Sequence, residues 1–420
     1  MHLALAEAFI PLGSQTFSKS RTQYPVGASP LFAKYAKGSK IQDLDGNWYI
    51  DLVNSLAAVT LGYNNKLVTN AVKAQLKKGV IYSLPGVLEQ QVASKIVDLV
   101  PSAELVRFGK NGTDATSAAV RLARAHTNRE LIAVCGYHGW ADWYICSTSR
   151  SKGVPNATKQ LTKSFKYNQI ETLKKIISEF PNGLAAVVME PMNSEFPKNG
   201  FLEEVRSLCT QHGIVLVFDE TITGFRFSNG GAQKYFGVIP DISTFGKGIA
   251  NGFPLSAVVG SQEIMKQMEE VFFSGTFGGE LLSLAAANVV LDLHKNDQVS
   301  KKLESIGAEL KAKIDNIIIA TQLEHVLNLS GHPSWLFLNW FPTDNYSVEE
   351  LKTFFMQEMF SRGVLVLNSH NISTSLNKSE IKIIVKAYSQ TLEYMSELIK
   401  NKDLKSKLKV KPIIPLFKIR

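Results

Sequence analysis

The sequence predicts an α/β protein: a mostly parallel central sheet with helices on both faces, accompanied by a smaller α+β part. Short, continuous apolar runs carry that expectation, namely "LIAVCG" (131–136), "LAAVVMEP" (184–191) and "GIVLVFDE" (213–220). They alternate with amphipathic stretches such as "QIETLKKIISEF" and "FLEEVRSLCTQHG", and strands covered on both faces read in this way. With 420 residues, 45% of them hydrophobic and 20% charged, the chain has material for a large core and no bias toward disorder. No internal repeat is visible.

Taken in order, an arm punctuated by Gly, Ser and Pro runs to Pro30. "SKIQDLDGNWYIDL" then reads as a hairpin of two alternating strands around Asp45-Gly46. "LVTNAVKAQLKKG" and "EQQVASKIVDLVP" place apolar residues at helical spacing and stop near Gly79 and Pro101. "ELVRFGKNGTDATSAAVRLARAHT" reads as strand, glycine turn and helix. From about residue 300, charged helices such as "QVSKKLESIGAELKAKIDNI" surround "SWLFLNWF" and "GVLVL". The expected domains are 1–60, an arm and hairpin joining the small domain; 61–299, the large domain; and 300–420, the C-terminal small domain with a basic tail.

The net charge of +9 is concentrated at one end: residues 400–420 carry a surplus of 7, leaving the rest at +2. The tail lacks the aromatic-basic interleaving of a nucleic-acid surface, so no nucleic-acid partner is expected; it reads as a solvated end docking by its Ile, Leu and Phe. Three cysteines, Cys135, Cys146 and Cys209, fit a reducing compartment rather than a disulfide framework. Cys135 and His138 have ligand-like spacing, but no second pair completes a metal site. The N-terminus has no basic n-region and no run of 18 uncharged apolar residues occurs, so a cytoplasmic protein without a membrane partner is expected.

Sites in open α/β sheets form beyond the carboxyl ends of strands. Three polar signals fall there: Asp219 after "IVLVF", Glu190 after "AAVVM", and the turn Gly109 to Thr113 after "LVRF". Asp219 alone is more often a helix cap, and Lys247 alone, between glycines in "DISTFGKGIANGFP", is more often a solvated lysine. Together they offer one pocket an acid and an amine nucleophile. Burial disfavours an ammonium, and a free amine attacks a carbonyl. Pyridoxal phosphate (PLP) sites use that pairing, with a carboxylate keeping the ring nitrogen protonated. Backbone N–H groups of Gly112 and Thr113 at a helix N-terminus suit a phosphate, although a simple cap reads the same way. "GKGIANG" matches neither common nucleotide motif. Tyr137 in "YHGW" offers a ring to cover a flat cofactor or to fill the core, and His138 is either a site residue or a structural one.

With these residues together the chain resembles the class III PLP-dependent aminotransferases, and within them it is most similar to glutamate-1-semialdehyde 2,1-aminomutases. The resemblance rests on "DLDGNWYID", "VRFGKNGTDATSAAVRLARA", "GYHGWAD", "VMEPM", the stretch from "VFDETITGFRFSNGGAQ" to "DISTFGKGIANGFP", and "SGTFGGELLSLAAA". It implies PLP-dependent transferase fold type I, a cytoplasmic homodimer with sites at the subunit interface, and the amino-group chemistry of a small aldehyde or ketone. Lys247 falls on the lysine that forms the Schiff base with PLP and Asp219 on the partner of the ring nitrogen. Asn111, Gly112 and Thr113 fall on the phosphate turn, Tyr137 on the stacking tyrosine, and His138 and Glu190 beside the ring. Thr276 falls on the phosphate ligand given by the neighbouring subunit. Implied substrate contacts are Lys19, Leu56, Glu195 and His370. Lys19 stands where the aminomutases carry an arginine, Leu56 where they carry an aromatic residue, and Glu195 where they carry an asparagine. The gating glutamate falls near Asn371, where no acid exists. The expected reaction is glutamate-1-semialdehyde to 5-aminolevulinate; the alternative is intermolecular transfer to another carbonyl compound, including a sugar-like one.

Overall fold

The computed structural model describes residues 2–296 and 298–414, and the chain divides into two units. One takes in Thr60–Asn65 together with 2–56 and 303–414; the other takes in Ala57–Val59 and 66–302.

The first unit begins with the helix His2–Phe9 and contains the expected hairpin. Strand β1 (Ala33–Lys37) pairs with β2 (Lys40–Asp43), which pairs antiparallel with β3 (Trp48–Asp51) to form that hairpin. Asp43 holds the turn: its carboxylate accepts from the N–H groups of Asp45 and Asn47, from Asn47 Nδ2 and from Tyr49 Oη.

The large unit is built on seven strands, β4 (Leu105–Gly109), β5 (Leu131–Cys135), β6 (Thr162–Ser164), β7 (Leu184–Met189), β8 (Val215–Asp219), β9 (Ile242–Phe245) and β10 (Ser256–Gly260). Their order is β4-β10-β9-β8-β7-β5-β6. Neighbours from β6 to β9 run parallel, and β10 runs antiparallel to both β4 and β9. The three apolar runs singled out in the sequence are β5, β7 and β8, adjacent in the middle of this sheet.

Both faces of the sheet are covered, which is why those strands are apolar throughout. On one face Ala115, Ala118, Ala119, Leu122 and Ala123 of the helix Gly112–Thr127 pack on Val134, Ala186, Val188 and Val217; the alanines let the helix lie close. On the other, Leu173, Ile176 and Ile177 of Ile170–Glu179 and Leu202, Val205 and Cys209 of Phe201–His212 cover Ala133, Val187, Met189 and Phe218. The pairs Cys135↔Met189 and Met189↔Phe218 bring the carboxyl ends of β5, β7 and β8 level. Side chains that follow these ends therefore emerge side by side.

The first unit is completed by β11 (Leu327–His332), β12 (Trp335–Trp340), β13 (Val364–Leu365) and β14 (Ser369–Asn371). β13 adds parallel to β3 in a sheet ordered β1-β2-β3-β13, and β11-β12-β14 form a second sheet. "SWLFLNWF" thus supplies β12 and "GVLVL" supplies β13. The basic tail lies along the helix Val348–Ser361 by backbone rather than by apolar contacts alone. Gln357 Nε2 donates to Lys407 O, Lys409 N donates to Gln357 Oε1, and Ile413 N donates to Thr353 Oγ1. Phe417, expected to dock, lies outside the described residues. Among the described residues no helix is long and apolar enough to cross a membrane.

Candidate active site

Asp219 ends β8 and is 5% exposed. Its Oδ2 meets His138 Nδ1 at 2.9 Å, while Oδ1 accepts from Thr221 Oγ1 at 2.6 Å, Thr221 N at 3.1 Å and Thr244 Oγ1 at 3.2 Å. Burial pushes this carboxyl up, but the hydrogen bonds from His138 and Thr221 outweigh it and hold the group below the ordinary carboxylate range. His138 Nε2 lies 3.1 Å from Cys135 O. Contacts at both ring nitrogens fix the orientation of His138.

Glu190 follows β7, buried, and accepts from Tyr137 N at 3.0 Å and Asn193 Nδ2 at 2.8 Å. Burial lifts it above the usual range; His138 pulls against that and Asp219 adds to it. The loop that follows β5 needs glycine on both sides of Tyr137 and His138. A Cβ on Gly136, whose φ is +106°, would stand 2.4 Å from Glu190 Oε2, and one on Gly139, whose φ is +100°, would stand 2.1 Å from Thr113 Oγ1. Tyr137 is 46% exposed and meets Tyr144 edge-on with ring centroids 5.6 Å apart.

The turn after β4 caps the helix Gly112–Thr127 as the sequence suggests. Asp114 reaches back to accept from Lys110 N and Asn111 N, and Thr113 Oγ1 accepts from Trp140 N at 3.3 Å. The first-turn amides of Gly112 and Thr113 begin a 16-residue helix, whose dipole favours an anion there.

Lys247 follows β9 in a short 3₁₀ turn with φ +44° and is partly buried. Desolvation pushes its ammonium down to about 8; Glu190 and Asp219 act against that, and Arg226 adds to it. Thr221 shows how the parts meet. A Cβ on Gly112 would stand 3.1 Å from Thr221 Cγ2, and one on Gly246 would stand 3.2 Å from that atom and 3.9 Å from Gly112 Cα. Phosphate-type turn, acid and amine therefore share one cradle, in which a side chain on either glycine would crowd Thr221.

The structure brings together Lys247, Asp219, His138, Glu190, Tyr137, Asn111, Gly112 and Thr113. Thr276 lies apart from their hydrogen bonds, exposed beside Phe272 and Phe277, which are 80% and 60% exposed. Glu195 is at the surface, bonded to Lys198 Nζ at 2.7 Å, which holds its carboxyl below the ordinary value. Lys19, Leu56 and His370 belong to the other unit. Lys19 is exposed, and Leu56 has φ +59° in a left-handed turn spanning Asn54–Ala57. His370 is fully buried, its Nε2 bonded to Tyr388 Oη, and burial drives it down to about 4. This is the setting of a neutral core histidine, unlike the substrate contact expected of it.

Sequence reading missed Thr221, Thr244 and Arg226. Thr221 was detectable, since a threonine two residues after an aspartate commonly closes an Asx-type turn. Thr244 is registered opposite Asp219, which no local pattern reveals. Arg226, 1% exposed and bonded to Ala57 O at 3.3 Å, stands between two buried phenylalanines in "GFRF", an apolar setting that marks an arginine as buried.

The sequence model of the family "Aminotransferase class-III" matches residues 23–392. The chain belongs to the class III aminotransferases. This aminotransferase is 33% identical over 426 residues to the glutamate-1-semialdehyde 2,1-aminomutase of Methanosarcina acetivorans, covering 92% of this chain and 100% of that one. It is 32% identical over 354 residues to the 3-aminobutyryl-CoA aminotransferase of Cloacimonas acidaminovorans, covering 82% and 84%. Its fold matches the PLP internal aldimine form of the FumI protein of Sphingopyxis sp. MTA144, with a TM-score of 0.88, 25% identity and coverage of 98% and 97%. A glutamate-1-semialdehyde aminomutase from Pseudomonas aeruginosa matches with a TM-score of 0.81 at 20% identity over 93% of each chain, a likeness of fold. The architecture is fold type I.

Proposed function

We propose that this PLP-dependent class III aminotransferase acts on a small carbonyl compound as an aminomutase, converting glutamate-1-semialdehyde to 5-aminolevulinate. The observation that carries the amino-group chemistry is the contact of the Gly112 turn, the Asp219 end of β8 and the Lys247 turn around Thr221. The residues fit PLP: two glycines at which a Cβ would crowd Thr221, a helix N-terminus for the phosphate, and an acid held below the ordinary carboxylate range. When bound, PLP supplies an aldehyde that condenses with amines and a ring that takes up electrons as a substrate C–H bond breaks. Gly112 and Thr113 hold its phosphate, and Asp219, fixed by His138, keeps the ring nitrogen protonated. Lys247 Nζ, poised near pH 8, accepts and returns a proton at the substrate carbon. Tyr137 covers the ring.

The aminomutase assignment is supported by relatives so named, among them the one from Methanosarcina acetivorans. Intermolecular transfer is the second reading, favoured by Lys19 in place of an arginine and by the related 3-aminobutyryl-CoA aminotransferase. Product analysis separates the two: a mutase turns over without an amino donor and releases no 2-oxo acid. Stoichiometric oxo-acid release would reject the aminomutase assignment. In the same assay Lys19→Ala should raise KM more than it lowers kcat, and an unchanged KM would remove Lys19 from anion recognition.

The working form is a cytoplasmic homodimer in which Thr276 of one copy serves the phosphate of the other. The exposed Phe272 and Phe277 flanking Thr276 support pairing, and the free, buried Cys135, Cys146 and Cys209 suit a reducing compartment. Sedimentation at the mass of a single chain would contradict the dimer.

A further inference from the structure

Thr221 touches three parts of the site with two chemically different ends. Its hydroxyl donates to Asp219 Oδ1 at 2.6 Å, and its own N–H reaches the same oxygen at 3.1 Å. A Cβ on Gly112 would meet its methyl carbon Cγ2 at 3.1 Å and its Oγ1 at 3.2 Å, whereas one on Gly246 would meet only the methyl carbon of Thr221, at 3.2 Å. With Thr244 Oγ1 at 3.2 Å, Oδ1 has its acceptor capacity filled from within the chain, whereas Oδ2 takes His138 and keeps a lone pair for a further donor.

We propose that Thr221 is a positioning residue of the PLP site, a role that rests on the PLP assignment above: its hydroxyl fixes the orientation and charge of Asp219, and its methyl sets the spacing between the phosphate turn and the Lys247 turn. Each end can be removed separately. Thr221→Val keeps the shape and loses the hydroxyl; Thr221→Ser keeps the hydroxyl and loses the methyl. A carboxylate that loses a donor becomes more basic. Asp219 then competes harder for the ring proton, the ring carries less positive charge, and the nitrogen joined to Lys247 becomes more basic.

The test uses purified holoenzyme and two readouts other than turnover: the pH midpoint of the near-visible band of lysine-bound PLP, and the rate at which PLP is released to an apoenzyme trap. Thr221→Val should raise the midpoint by about half a unit or more while leaving release within about twofold of wild type. Thr221→Ser should leave the midpoint within about 0.2 units and speed release by about tenfold, because only the spacer is lost. Thr221→Ala should show both changes and decides the matter if the valine variant does not accumulate. A Thr221→Val or Thr221→Ala enzyme that titrates like wild type, or valine and serine variants that behave alike, would overturn the role of Thr221 while leaving the PLP assignment standing. A wild-type protein with no near-visible band would overturn the PLP assignment itself.

Discussion

Lys247 combines two costs that an ordinary lysine avoids. Its φ of +44° lies in the left-handed region that non-glycine residues seldom adopt, and its ammonium is desolvated down to about 8 from 10.5. Both are tolerated because Gly246, whose Cβ would press on Thr221, lets the turn sit against β8. The sign of the pH effect follows. Between about 8 and 10.5 the unfolded chain binds the Lys247 proton and the folded apoprotein does not, so this group's own contribution to apoprotein stability rises with pH across that window. The same displacement governs reactivity, since only the neutral amine attacks an aldehyde. The rate at which the apoprotein captures PLP should climb with pH to a midpoint near 8; a midpoint above about 10, that of an unperturbed lysine, would contradict the burial argument.

Among the elements, the strands were legible where burial wrote them plainly. β5, β7 and β8 appear in the sequence as apolar runs because both faces of each are covered, and Asp43 to Tyr49 announces its turn with Asp45-Gly46. The antiparallel insertion of β10 between β4 and β9 was not legible, because an apolar run carries no record of strand direction. Nor was the left-handed turn at Asn54–Ala57, which contains no glycine. In the site, residues at strand ends were legible and those whose role comes from a partner across the sheet, such as Thr244, were not. Glycines inside helices were also opaque. Gly307 lies within the helix Gln298–Ala320, and a Cβ there would stand 1.8 Å from Pro333 O, a backbone atom with no rotamer to yield. Although alanine is the better helix former, Gly307→Ala should destabilise the protein by about 2 kcal/mol or more, measured as a lower midpoint in urea. An unchanged or higher midpoint would mean that the Pro333 turn gives way.

For the molecule as a whole, the charge pattern misleads if summed. The surplus of basic residues sits at the C-terminus, where the described part of the tail is fastened along Val348–Ser361 by the buried side chains of Gln357 and Thr353, with Lys405 on Glu350 and Lys409 on Glu358. These contacts give the lysines an intramolecular use, and leave the large unit to carry the chemistry. The proposed chemistry depends on one amine and one acid sharing a cradle for PLP. Borohydride reduction of the purified protein, followed by digestion and peptide mapping, tests it most directly. The near-visible band should vanish and a phosphopyridoxyl group should be found on Lys247, absent from Lys247→Ala. A protein without the band, or with the label on another lysine, would contradict the assignment.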